Sequence, residues 1–197
     1  MSRTAAERLP IGPTIETDRL ILRPPAAEDF DAWVAFGADP EVAQFIGGIQ
    51  TPAMVWRSMC AVAGAWTISG FSMFSVIERA TGRWIGRLGP WMPIGWPGTE
   101  VGWALAREAW GRGYAVEGAT AAIDWAFETL GWEEVIHAID PANERSLSVA
   151  RRLGSTYLRD AVLPDPLNVP VQIWGQSRAA WTASASVRRP TAPGAPG

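Results

Sequence analysis

The strongest constraint on what this chain can fold into is a tight turn, Gly111-Arg112-Gly113-Tyr114-Ala115, set between an alternating run and an amphipathic stripe. Before it, from Thr99 to Ala106, Val101, Trp103 and Leu105 alternate with Glu100, Gly102 and Ala104, the period of a strand. After it, from Ala115 to Leu130, Ala119, Ala122, Ile123, Ala126, Phe127 and Leu130 follow the i, i+3, i+4, i+7 spacing of a helix that Gly131 can close. The two glycines and the small Ala115 let the backbone bend sharply and approach a ligand. The unpaired N–H groups and dipole of the helix start favour an anion there. In principle the turn is a phosphate cradle.

Which phosphate ligand it takes depends on what surrounds it. A Walker A loop is excluded, because no Lys followed by Ser or Thr closes a Gly-x-x-x-x-Gly spacing. A dinucleotide fingerprint needs a third glycine where Val116 stands, a βαβ unit near the beginning of the domain, and an acid about 20 residues on. Only the first two glycines fit. The remaining reading joins the turn to the elements downstream of its helix: a strand from Val135 to Ile139, then Asp140-Pro141-Ala142-Asn143-Glu144-Arg145-Ser146 opening a helix that ends at Leu153-Gly154.

The rest of the chain supplies the frame. A strand is expected from Ile15 to Pro24, with Leu20 and Leu22 apolar, and a helix from Ala26 to Ala38 on the spacing of Phe30, Trp33, Val34 and Gly37. After a loop at Gly47-Gly48, a second helix starts at Pro52, runs through Val55, Met59, Val62 and Trp66, and stops at Gly70. Phe71 to Glu78 and Arg83 to Gly89 read as a hairpin about Arg79-Ala80-Thr81-Gly82. A Pro/Gly/Trp loop from Pro93 to Gly98 precedes the Thr99 strand, and Val169 to Trp174 is the last strand candidate. The expected order, β-α-α-β-β-β-α-β-α-β, is that of an α+β domain over residues 15–183. Residues 1–14 are expected to be a flexible lead-in. Residues 184–197, rich in Pro, Gly, Ala and Ser, are expected to be a disordered tail.

Charge and composition narrow the partners. A net charge of -3 and a pI near 5.2 leave no basic footprint for nucleic acid. The single cysteine, Cys60, has no disulfide partner and no spaced Cys or His with which to bind a metal. Its apolar setting, Met59-Cys60-Ala61-Val62, predicts a buried, inert thiol. The N-terminal residues carry no apolar h-region, and no run approaches the roughly 18 apolar residues that span a bilayer, so a soluble cytoplasmic protein is the expectation. His137, the one histidine, lies in an apolar strand and reads as a satisfied structural residue.

The strand, the turn from Trp110 to Ala115, the helix, and the Asp140 to Ser146 opening of a second helix resemble the GCN5-related N-acetyltransferases (GNAT). Glu16-Thr17-Asp18-Arg19-Leu20-Ile21-Leu22-Arg23 and Tyr114-Ala115-Val116-Glu117 look like the branch of that family that holds the ribosomal-protein alanine acetyltransferases of the RimJ/RimL type. The resemblance covers about Ile15 to Arg178. It implies a mixed, mostly antiparallel sheet splayed to admit acetyl-CoA and flanked by helices on both faces.

By the same resemblance, the backbone amides from Gly111 through Gly113, Tyr114 and Ala115 to Val116 grip the pyrophosphate, with the Arg112 side chain near a phosphate. Trp110 stands where Gln or Arg is usual. The pantetheine arm pairs with backbone groups around Trp103 to Leu105. Asn143 caps its helix or hydrogen-bonds the pantetheine, and Ser146 lies on the same face, near the thioester sulfur. Glu100 matches an acid that takes the amine proton directly or through water. The Tyr that often serves as general acid is replaced by Ala150, and Ser146 is the substitute. No metal is implied. The acceptor is a primary amine, on a protein N-terminus or a small molecule, and the alternative is an acyl-CoA-sensing domain without turnover. Trp84, Trp91, Trp96 and Trp103 line the acceptor pocket, seal a homodimer contact or pack the core.

Overall fold

In the computed structural model of the chain, which describes residues 11–184, the first strand forms as two pieces, β1 (Ile15–Glu16) and β2 (Leu20–Arg23). They pair antiparallel across a turn in which the Thr17 N–H donates to the Leu20 carbonyl at 2.9 Å and the Leu20 N–H donates to Thr17 Oγ1 at 3.0 Å. The early helical region is three helices: α1 (Phe30–Ala38), α2 (Pro40–Ala43) and α3 (Pro52–Ser69). Asp39 ends α1 in extended conformation and caps α2 by accepting from the Glu41 N–H, with Pro40 at the first helical position. That cap and proline account for the short helix α2, which lies outside the expected elements. Gly70, at φ 77°, closes α3.

The hairpin forms as β3 (Phe74–Glu78) and β4 (Trp84–Trp91), followed by β5 (Glu100–Leu105), α4 (Tyr114–Thr129), β6 (Glu134–Ile139) and α5 (Glu144–Arg152). Three further elements complete the domain: β7 (Thr156–Val162), β8 (Pro170–Ser177) and α6 (Arg178–Ala183). The expected last strand corresponds to β8, whereas β7 and α6 are additions. β7 lies at the edge of the sheet, mostly exposed, and a register shift between Tyr157 and Arg159 breaks its period of two. Its sequence therefore lacks the alternation by which strands are read.

The eight strands form one sheet in the order β1-β2-β3-β4-β5-β6-β8-β7, antiparallel throughout except at β5 and β6. Helix α4 lies on one face, over a core that includes Leu20, Phe74, Leu88, Val101 and Ile123. It approaches so closely at Gly118 that a Cβ there would sit 2.5 Å from Leu88 Cδ2. Helices α1 and α3 cover the other face through Trp33, Phe36, Val55, Val62 and Trp84. This is the α+β architecture expected, with helices on both faces. Cys60 corrects one expectation, because it is exposed. The inward stripe of α3 is Val55, Met59, Val62 and Trp66, and the residue after Met59 is turned about 100° away from it.

The two motifs of the first strand and α4 meet. Arg19 Nε donates to Glu117 Oε2 at 2.6 Å, and the Arg19 N–H and Thr17 hydroxyl donate to Glu117 Oε1 at 2.8 and 2.6 Å. The start of β2 is thereby pinned to the first turn of α4. Among the described residues no helix is long and apolar enough to cross a membrane. The same residues hold no cluster of three or more His, Cys, Asp or Glu suited to a metal ion. The expected lead-in reaches into described sequence only at residues 11–14, and the expected tail only at Ser184, the C-cap of α6. The remainder of both lies outside the described residues.

Candidate active site

The site begins where the sheet divides. β5 and β6 pair at Glu100 and Ile136, where the Ile136 N–H donates to the Thr99 carbonyl at 2.9 Å. Past that point two side chains take up backbone groups that a continued ladder would have paired. The Ala138 N–H donates to Glu100 Oε1 at 3.2 Å, and His137 Nδ1 lies 2.7 Å from the Val101 carbonyl. A carbonyl only accepts, so Nδ1 carries the ring proton. Nε2 is left to accept from the Ser155 hydroxyl at 3.0 Å, whose oxygen in turn accepts from Gln176 Nε2 at 3.0 Å. Burial pushes the His137 pKa down to about 4, against a smaller opposing effect of the Val101 contact. The histidine is neutral near pH 7 and works as a wedge in the split sheet.

The gap opens into a cleft of about 480 Å³ at the C-terminal end of β5, below the N-terminal ends of α4 and α5. The sequence-predicted Trp103, Leu105, Gly111, Gly113, Tyr114, Ala115, Val116, Asn143 and Ser146 all line it. Gly111 and Gly113 have φ of 72° and 80°, the left-handed region that glycine occupies without strain. A Cβ at Gly111 would meet nothing within 4 Å, so the glycine is required there by backbone conformation and not by space. The short turn and unpaired helix start fit a pyrophosphate, and the β5 edge at Trp103 fits an extended amide-bearing arm, although the Leu105 carbonyl already accepts from Trp110 Nε1 at 2.8 Å.

The Arg112 side chain does not join the lining residues. Its Nη2 lies 3.0 Å from Glu78 Oε1 and its guanidinium stands 4.8 Å from the Tyr114 ring centroid, while the Tyr114 hydroxyl donates to the same Glu78 oxygen at 2.7 Å. The hydrogen bond from Thr81 first, then those of Tyr114 and the charges of Arg112 and Arg83, hold the Glu78 carboxyl down to about 2. The expected phosphate contact of the Arg112 side chain is thus replaced by an ion pair behind the turn. Two other arginines, Arg145 and Arg152, face the cleft. Arg145 lines it, stacked 4.2 Å above the Trp110 ring. The basic residue beside the Asn143 cap was its signal in the sequence, and only the fold brings it to Trp110.

At the start of α5, Asn143 Oδ1 accepts from the Ser146 N–H at 3.1 Å, which makes Asn143 the helix cap. Its amide nitrogen donates to nothing among the described residues. Ser146 lines the cleft, whereas Ala150 is fully buried beside Ile139 and Leu147 and does not line it.

Glu100 does not line the cleft directly. It stands at the apex of the split, 6% exposed, and accepts a hydrogen bond from Trp96 Nε1 as well as that from Ala138. Burial raises its pKa to about 7, against the lowering effect of those two donors. Trp96 was expected to line the acceptor pocket, seal a dimer contact or pack the core. Its bond to Glu100 has no signal in local sequence, because the loop that carries it has no periodicity. Of the other tryptophans, Trp84 is core, stacked on Trp33 at 5.8 Å, and Trp103 tilts over His137 at 4.7 Å.

An open sheet that parts at its parallel pair, with a glycine turn and two helix starts facing the gap, is the arrangement of an acetyltransferase fold. The sequence profile of the acetyltransferase (GNAT) domain matches residues 19–156, and the chain belongs to that family. The fold is similar to the crystal structure of the acetyltransferase from Agrobacterium tumefaciens str. C58, 32% identical, with a TM-score of 0.76 over 90% of this chain and 100% of that one. It is also similar to the GNAT-family acetyltransferase from Bacillus anthracis (20% identity, TM-score 0.71, covering 83% and 98% of the two chains). A third likeness is to the ribosomal-protein-S5-alanine acetyltransferase from Vibrio fischeri (17% identity, TM-score 0.67, covering 85% and 98%). No curated protein sequence gives a significant match.

Proposed function

We propose that the protein is an acetyl-CoA-dependent N-acetyltransferase of the RimJ/RimL-like branch, moving an acetyl group to a primary amine of a protein N-terminus or a small molecule. The observation that carries this reading is Glu100, a carboxyl with a pKa near 7 at the point where the sheet splits. A base poised there takes the proton of an ammonium acceptor, directly or through water, and releases the free amine to attack the thioester carbonyl. Acetyl-CoA supplies the activated acyl group. The amides from Gly111 to Val116 hold its pyrophosphate, Arg145 adds a cation beside them, and the Trp103 to Leu105 edge pairs with the pantetheine. Ser146, on the cleft wall, is the nearest candidate to meet the departing thiolate.

The branch assignment is supported by the contact between Arg19 and Glu117, which ties the Glu16 to Arg23 motif to the Tyr114 to Glu117 motif. Thiol release from acetyl-CoA, followed over a panel of amines, is expected with wild type. Glu100→Gln should lower kcat/KM by about 10²- to 10³-fold with acetyl-CoA affinity kept. Silence with every amine despite tight acetyl-CoA binding would replace this function with acyl-CoA sensing.

A further inference from the structure

Arg87 is a half-buried cation without an anion. It lies in β4, opposite Ser75 of β3 and Ala104 of β5. Directly paired residues share a sheet face, so Arg87, Ala104, Gly102 and Glu100 stand on the same side, the side covered by α1 and α3. Ala104 is a wall of the cleft. The Met73 side chain reaches toward both Arg87 and Glu100. Its Sδ is 3.8 Å from Arg87 Nη1, and its Cε is 3.2 Å from where a Gly102 Cβ would stand, the point that also lies 3.2 Å from Glu100 Oε1.

Among the described residues no oxygen acceptor meets the guanidinium. Its Nε is buried with no hydrogen-bond partner, its Nη1 has a thioether, and the Trp33 ring centroid lies 5.6 Å away. Among the described residues no carboxylate pairs with it, although nearby Asp29 is bound bidentately by Arg23 and also accepts from Ser75. Burial pushes the Arg87 pKa down to about 10, which still leaves it charged at neutral pH. A half-buried charge with no anion beside it is held against a desolvation cost that an apolar side chain of similar volume would not carry.

We propose that Arg87 is the anion-binding half of the acceptor site, and that the acceptor is a primary amine that also carries a carboxylate. Arginine's planar fork matches a carboxylate in bidentate geometry. The acceptor bridges two points on one sheet face, its ammonium at Glu100 and its carboxylate at Arg87, with the Met73 side chain beneath the link between them. This rests on the acetyltransferase reading and adds the acceptor's chemical class to it.

The test uses ω-amino acids of graded length, peptides with an acidic first or second residue, and the carboxamide of each. Transfer is followed by thiol release, and binding to the CoA-loaded protein by calorimetry. Wild type is expected to prefer at least one acid over its carboxamide by 10-fold or more in kcat/KM. The small acids and the peptides separate the two sources of that chemistry. Arg87→Gln should reduce the preference to within 2-fold, and Arg87→Lys should keep part of it. Acetyl-CoA affinity is the check that each variant is folded. Arg87→Met, which removes the unpaired charge, should lose the preference with no fall in Tm. Equal use of acid and carboxamide by wild type, or a preference that survives Arg87→Gln, overturns the proposal. If acids bind through Arg87 but no amine is acetylated, the transferase reading fails and the anion site stands.

Discussion

Glu100 and Cys60 carry the sharpest consequences at the scale of single residues. A base must be unprotonated to work, so kcat/KM is expected to rise with pH through a midpoint near 7. Trp96→Phe removes a donor that lowers the Glu100 pKa, and should move that midpoint to higher pH in a pH–rate profile. The same shift affects stability. Folded Glu100 holds its proton up to about 7 while the unfolded side chain releases it near 4.5, so its contribution is full below 4.5 and is lost as pH rises through 7. Glu100→Gln never ionises, and urea denaturation at pH 8 should find it more stable than wild type by at most about 3 kcal/mol. Cys60, exposed on α3, should react with a thiol reagent in the native protein without loss of transferase activity. Neither residue shows its environment in the local sequence. A lone strand carboxylate is usually solvated, and Met59-Cys60-Ala61-Val62 is apolar whichever way the helix is turned.

Elements explain why the donor side was legible. The turn, the α4 stripe and the Asn143 cap are built from neighbours in sequence, so the spacing of glycines and apolar residues reports them directly. Gly111→Ala places a Cβ at φ 72°, which costs about 1–2 kcal/mol, and distorts amides assigned to the pyrophosphate. Its expected effect is a rise in Kd for CoA by calorimetry, with little change in Kd for the acceptor. The elements that were not legible are those without a clean period: the four-residue α2, set off by Asp39 and Pro40, and β7, bulged and exposed at the edge. Arg112 was hidden in another way. Its position in the turn is local, but the direction of its side chain is set by Glu78, which stands on β3.

For the whole molecule, the split sheet is the decisive feature, and His137 is what the split requires. It caps the freed Val101 carbonyl and receives the Ser155 hydroxyl, so His137→Gln leaves buried polar groups poorly paired and should cost about 1–3 kcal/mol at pH 7. Its folded pKa of about 4 lies below the unfolded 6.5, so its contribution is present above 6.5 and fades as pH falls through 4. The deficit of His137→Gln against wild type should therefore shrink between pH 7 and pH 4, read by urea denaturation. By itself the sequence determined the α+β order, the phosphate-gripping turn, the capped helix beside it and the family they resemble, because each is written in residues a few positions apart. The tertiary structure decided the proton affinity of Glu100, the ion pair that takes Arg112 away from the cleft, the stacking of Arg145 on Trp110, and the isolation of Arg87. Charge, burial and free hydrogen-bonding capacity depend on which distant strands and helices a side chain meets, and only packing brings those together.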